Sequence, residues 1–189
     1  FPWHPKGYRL VLVNSCVKHE LAGSPYNERR LQCEHVAEVI KQTHPEVESL
    51  RDASMEMLEE VKSQITADEY KRARYVIGEV VRVLTVCDAL EKDDYETVGK
   101  MMYETHYGLS KEYEVSCEEL DFLNDEAKKC GVTGSRIMGG GFGGCTINLV
   151  KDELYDQFVK EVVPAFTEKY GHEPKIYDVV IGDGSRKLC

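Results

Sequence analysis

No stretch of this chain approaches the roughly 20 consecutive apolar residues of a membrane-spanning helix, and no signal-peptide pattern opens it. A cytoplasmic protein with no membrane partner is expected. Positive charge is scarce: 24 Lys and Arg stand against 34 Asp and Glu, for a formal net charge of -10. Duplex binding rests on cationic contacts to phosphate, so nucleic acid is not an expected partner. The cysteines Cys16, Cys33, Cys87, Cys117, Cys130, Cys145 and Cys189 include no CxxC pair and are odd in number. That disfavours a disulfide frame and a zinc site, and leaves free thiols in a reducing compartment, with no metal site and no catalytic thiol. Cys145 reads as a small core residue. Repeats and low-complexity segments are also lacking.

What is present is a chain of 189 residues, 42% hydrophobic and 31% charged, which suits one folded core. It opens on Phe1 and not on methionine, as expected of a fragment of something longer. Tyr8 to Ser15 is rich in Val and Leu and reads as a strand buried on both faces. Ser24 as cap and Pro25 at the first helical position then start a helix, carried by Leu31, Val36, Val39 and Ile40 and stopped at His44-Pro45. Met55, Leu58 and Val61 mark a short helix. Thr66 with Glu69 forms a capping box for a long one, with Tyr70, Ala73, Ile77, Val80, Leu84 and Cys87 as its apolar stripe. Asp94 caps a helix through Tyr95, Val98, Met102 and Leu109. Ser116 with Glu119 reads as a second capping box, opening a helix that Gly131 ends. Asp152 to Tyr170 is helical, with Pro164 expected to kink or split it, and Lys175 to Ile181 closes as a strand before a Gly182-Asp183-Gly184 turn. Four strands and five or six helices, grouped and not alternating, predict an α+β fold.

One stretch stands apart: Gly134-Ser135-Arg136-Ile137-Met138-Gly139-Gly140-Gly141-Phe142-Gly143-Gly144-Cys145, with six glycines in twelve residues. Glycine reaches backbone conformations closed to other residues and lets the main chain approach another group closely. The stretch lacks the Gly-Lys-Ser/Thr ending of a phosphate loop, and a β-branched run follows it where a dinucleotide fingerprint needs a helix. By composition alone it is a loop for close approach, an anion-binding concavity of amides, or a plain glycine hairpin between two strands.

Three stretches together resemble the galactokinases of the GHMP kinase family. The first runs from Val13-Asn14-Ser15 through Lys18-His19 to Ser24-Pro25-Tyr26-Asn27-Glu28-Arg29-Arg30 and Gln32-Cys33-Glu34. The second is Tyr113-Glu114-Val115-Ser116-Cys117 with Glu119-Leu120-Asp121, and the third is the glycine stretch. The resemblance extends from Leu10 to Leu188 and implies a single domain over 1-189, the carboxy-terminal half of the enzyme, with a small, mostly antiparallel sheet layered with helices. The amino-terminal half, which in that family carries the phosphate loop and the catalytic aspartate, has no counterpart here.

The resemblance implies that Tyr26 contacts the sugar, that Lys18 is a basic residue near the active site, and that Gly139, Gly140, Gly141, Phe142, Gly143 and Gly144 pack against the phosphate loop. It implies galactose and Mg-ATP as partners of the full-length protein, with the ATP and Mg bound mainly by the missing half. No catalytic residue falls in this chain, which alone is expected to phosphorylate nothing and to self-associate through its exposed interdomain face. On the residues alone, Tyr26 reads as a helix-entry aromatic packed on the core, Lys18 as a solvated cation, and Arg29 and Arg30 as a solvated helix face or an interdomain ion pair. His19 and His106 have no assigned role. Ile137-Met138-Gly139 stands where Met-Thr-Gly is usual, Pro25 where glutamate is common and Cys16 where asparagine is common, which leaves an N-acetylgalactosamine kinase or another sugar kinase open. Two other readings stand beside the kinase. One is a galactokinase-like sensor that binds sugar and ATP and acts through a protein partner; the other is an α+β interaction domain with a glycine hairpin.

Overall fold

The computed structural model describes residues 5–17, 25–182 and 184. The chain runs β1 (Tyr8–Asn14), α1 (Pro25–Lys41), α2 (Met55–Glu60), α3 (Ala67–Glu91), α4 (Tyr95–Lys111), α5 (Glu118–Lys129), β2 (Gly134–Met138), β3 (Cys145–Lys151), α6 (Tyr155–Tyr170) and β4 (Lys175–Val179). Single 3-10 turns lie at Lys62–Gln64 and Asp152–Leu154. The four strands make one sheet in the order β2-β3-β1-β4, with every neighbouring pair antiparallel. With α1 to α4 set aside, the succession strand, helix, two strands, helix, strand is a split β-α-β arrangement. The first four helices are then an insertion between β1 and α5.

Successive strand residues face opposite sides of the sheet, so the central strands β1 and β3 feed two cores. On one face Val11, Val13 and Val150 pack with Leu123 and Ala127 of α5 and with Phe158, Val162 and Phe166 of α6. On the other, Leu149 with Leu10 and Ile147 meets Ala89 of α3 and Tyr95, Val98 and Met102 of α4. A third cluster, from Val36, Val39 and Ile40 of α1, Leu58 of α2, and Ala73 and Ile77 of α3, is closed by Val47 and Leu50. Each fully buried side chain of this kind contributes about 1.5–3 kcal/mol.

The helix–sheet spacing is set by a pair of glycines. A Cβ on Gly99 of α4 would stand 2.0 Å from the Thr133 carbonyl oxygen, and one on Gly134 of β2 would stand 2.5 Å from the Gly99 Cα. Without side chains at these two places α4 lies directly on β2.

Helix starts follow their caps. Thr66 and Glu69 form the expected capping box, with the Glu69 amide donating to the Thr66 hydroxyl at 3.2 Å and the Thr66 amide to the Glu69 carboxylate at 2.8 Å. Asp94 accepts from the Thr97 amide at 3.0 Å and from its hydroxyl at 2.6 Å. Such a cap stabilises by about 1 kcal/mol. The box expected from Ser116 and Glu119 does not form. Cys117 is the residue at the cap, with no side-chain cap bond, and the Ser116 hydroxyl donates instead to Asp121 at 2.5 Å. Pro25 begins α1 as expected, and Ser24 lies outside the described residues.

Four details differ from expectation. Leu31 and Leu84 are 57% and 63% exposed, and Val81 joins Leu84 in an apolar outer face of α3. Pro164 does not split α6: Phe158, Val162 and Phe166 hold both halves in one core, which outweighs the roughly 3 kcal/mol an interior proline costs. β4 ends at Val179, and Cys145 is half-buried. Among the described residues all six cysteines are free, and no helix is long and apolar enough to cross a membrane.

Candidate functional site

Three loops meet at one end of the sheet: residues 15–17 after β1, 112–117 between α4 and α5, and 139–144 between β2 and β3. They belong to the three stretches that stood out in the sequence. Ser15 fastens the first to the third, its amide and its hydroxyl both donating to the Gly144 carbonyl at 2.8 and 2.9 Å. The Asn14 side-chain oxygen accepts from the Cys16 amide at 2.8 Å and steadies Cys16 in a left-handed conformation, φ +58. The second loop meets the third where the Phe142 amide donates to the Val115 carbonyl at 2.6 Å. Gly141 has φ +82, and a Cβ there would lie 2.0 Å from the same oxygen. The glycine density therefore serves close approach, and its first partners are loops of this chain.

Tyr26, in the first turn of α1, is 40% exposed, so it is not the packed core aromatic that its position alone suggests. It lines a cavity of about 250 Å³ together with Tyr75, Leu109, Tyr113, Val115, Gly139 and Gly140. Two candidates separated by more than a hundred residues in sequence thus share one wall. A larger, apolar cavity of about 420 Å³ between α3, α4 and the sheet holds none of the predicted site residues. Lys18 and His19 lie outside the described residues.

Arg29, 8% exposed, is hydrogen-bonded to Tyr113 in the wall of the Tyr26 cavity. Its guanidinium donates to the Pro25, Tyr113 and Glu114 carbonyls at 2.9, 3.0 and 3.0 Å, and lies 5.7 Å from the Phe142 ring centroid. The solvated face expected for Arg29 is instead occupied by Arg30, which pairs with Glu34 at 2.9 Å. Periodicity carried the signal: Arg29, Cys33, Val36 and Ile40 fall at helical spacing on the inner face of α1.

Charged groups brace the second loop. Glu114, itself left-handed at φ +56, is approached by Lys71 at 3.1 Å and by the buried Arg72 at 3.3 Å. Partial burial pushes its carboxyl up, but the hydrogen bonds and charges of Lys71 and Arg72 prevail and hold it below its ordinary value. Asp121 accepts from Ser116 at 2.5 Å and Ser110 at 2.7 Å, and faces His106 at 3.2 Å and Lys111 at 3.4 Å. Burial pushes this carboxyl up too, yet the bonds from His106, Ser116 and Ser110 win and keep it well below the usual carboxylate range. His106, without a role in the sequence, is thus a buried anchor of the loop. Among the described residues no group of three or more His, Cys, Asp or Glu is placed to hold a metal ion. The site offers positioning: an exposed phenol, a backbone wall free of side chains, and a braced loop between them.

Comparison with known proteins bears on the same residues. Residues 87–169, which include the glycine loop, match the family model described as GHMP kinases C terminal. The chain is 43% identical over 185 residues to a galactokinase of Clostridium beijerinckii, covering 96% of this chain and 47% of that protein. It is 39% identical over 181 residues to the galactokinase of Homo sapiens, covering 95% and 44%. Among solved structures it superposes on Lactococcus lactis galactokinase complexed with galactose with a TM-score of 0.89 at 32% identity, over 99% of this chain and 48% of that one. The fold alone is shared with L. major mevalonate kinase, at a TM-score of 0.55 and 19% identity. The chain spans about half the length of the curated relatives it matches.

Proposed function

We propose, on the premise that this chain carries a GHMP kinase C-terminal domain of the galactokinase type, that it is the carboxy-terminal half of an ATP-dependent kinase acting on the anomeric hydroxyl of galactose. The observation that carries this reading is the meeting of Tyr26 with Gly139 and Gly140 on one cavity. A phenol offers a sugar both a flat apolar face and a hydroxyl partner.

Phosphoryl transfer needs positioning and charge stabilisation more than covalent chemistry. In this reading the present chain supplies positioning. Tyr26 orients the sugar, Lys18 adds positive charge nearby, and residues 139–144 form a backbone wall against which a phosphate loop closes. Mg-ATP supplies the phosphoryl group and neutralises its charge; the magnesium and the catalytic base are assigned to the amino-terminal half. The chain alone turns nothing over in the cytoplasm or in a test tube, and the exposed Val81, Val83 and Leu84 support its self-association.

The test is an assay of the full-length gene product with Mg-ATP and either galactose or N-acetylgalactosamine, alongside Tyr26→Ala. Galactose-dependent ATP consumption that prefers galactose, with a raised galactose KM in the variant, is the expected result. Preference for the N-acetylated sugar overturns the choice of substrate. Binding of both ligands without turnover overturns the kinase and leaves a sensor.

A further inference from the structure

We propose that Arg29 is a positioning residue that sets the separation of Tyr26 from the glycine loop, so that sugar affinity depends on a buried cation that does not itself touch the sugar. The inference rests on the reading of Tyr26 as the sugar-facing side chain.

The guanidinium joins the segments that frame the cavity. One nitrogen holds the carbonyl of Pro25, the residue immediately before Tyr26. The other two hold the carbonyls of Tyr113 and Glu114, and Tyr113 is itself in the cavity wall. Val115, one residue on, receives the Phe142 amide of the glycine loop at 2.6 Å, and the Phe142 ring lies 5.7 Å from the guanidinium carbon. Arg29 thus has the first turn of α1 on one side and, through a single loop, residues 139–144 on the other.

The chemistry of the group matters here. Its closest carboxylate, Glu28, lies 3.9 Å away with a side chain 62% exposed, so the cation is held chiefly by carbonyl dipoles. A guanidinium presents five N–H donors in a rigid planar fork, whereas an ammonium is a point charge on a flexible stem. Lysine keeps the charge and loses the geometry that spans three carbonyls. If Arg29 merely filled the interior, replacing it would lower the folded fraction and leave the affinity of the surviving molecules for sugar unchanged.

The experiment uses the full-length enzyme with Arg29→Lys and Arg29→Met, and measures kcat, the galactose and ATP KM values, and hydrogen exchange at the Phe142 amide. The galactose KM is expected to rise about tenfold in Arg29→Met and about threefold in Arg29→Lys, with the ATP KM within about twofold of wild type. Exchange at Phe142 is expected to quicken in both, and if Arg29→Met does not fold, Arg29→Lys decides. A galactose KM unchanged in the folded variant, with kcat falling only in step with the folded fraction, overturns the proposal. A wild-type enzyme that does not phosphorylate galactose sinks the proposed function instead; the Phe142 amide then decides, and unchanged exchange overturns the role of Arg29.

Discussion

Gly141 and Val115 stand so close that a Cβ on residue 141 would lie 2.0 Å from the Val115 carbonyl oxygen, the atom that also accepts the Phe142 amide. One carbonyl thus sets the shape of the glycine loop. Gly141→Ala meets both this clash and the strain of φ +82. We expect it to destabilise the full-length protein by about 2 kcal/mol and to raise its galactose KM, as read by thermal melting and steady-state kinetics. A variant with wild-type melting and kinetics contradicts the account of the loop.

The contact between α4 and β2 makes a separate prediction. Gly99→Ala forces a methyl into the Thr133 backbone, and the expected cost is about 1–3 kcal/mol by denaturant unfolding, with little change in galactose KM because the contact lies away from the cavity. Equal losses in stability and sugar affinity contradict the separation of scaffold from site.

Asp121 makes stability depend on pH. Its folded-state carboxyl lies below the ordinary value, because bonds from His106, Ser116 and Ser110 outweigh the cost of burial. Its stabilising contribution is fully present above the unfolded value of about 4 and is lost as pH falls through the lower, folded-state value. Asp121→Asn is expected to cost about 2 kcal/mol at neutral pH, with the gap to wild type narrowing below about pH 4 in urea unfolding. A gap that does not vary with pH contradicts this.

How much of this was legible in the sequence differs from residue to residue. The caps at Thr66 and Asp94 were legible because capping is local, decided by residues three apart. The box at Ser116 failed because its hydroxyl has a stronger acceptor, the ionised Asp121, five residues on. The glycine density announced close approach without naming the partner, since Val115 lies far from residue 141 along the chain. The family resemblance points to Tyr26 and Gly139 separately; their common cavity is a product of topology, which puts the ends of β1 and β2 beside the start of β3. Leu84 belonged to an apolar stripe that outruns the core available to bury it, and no periodicity reveals where a core stops.

That outer face of α3 carries its own prediction. Leu84→Glu with Val81→Lys is expected to leave unfolding within about 0.5 kcal/mol of wild type while shifting the isolated chain toward monomer in sedimentation velocity at high concentration. A wild-type chain that stays monomeric removes the basis for self-association.

The most direct test of the central claim is the intact mass of the native gene product together with its galactose-dependent consumption of Mg-ATP. The expected product is a polypeptide about twice the size of this chain, in keeping with relatives of which the chain covers 47%, that consumes ATP only when galactose is present and yields galactose 1-phosphate. A native product of 189 residues, or a longer one that binds galactose and ATP and leaves both unchanged, contradicts it.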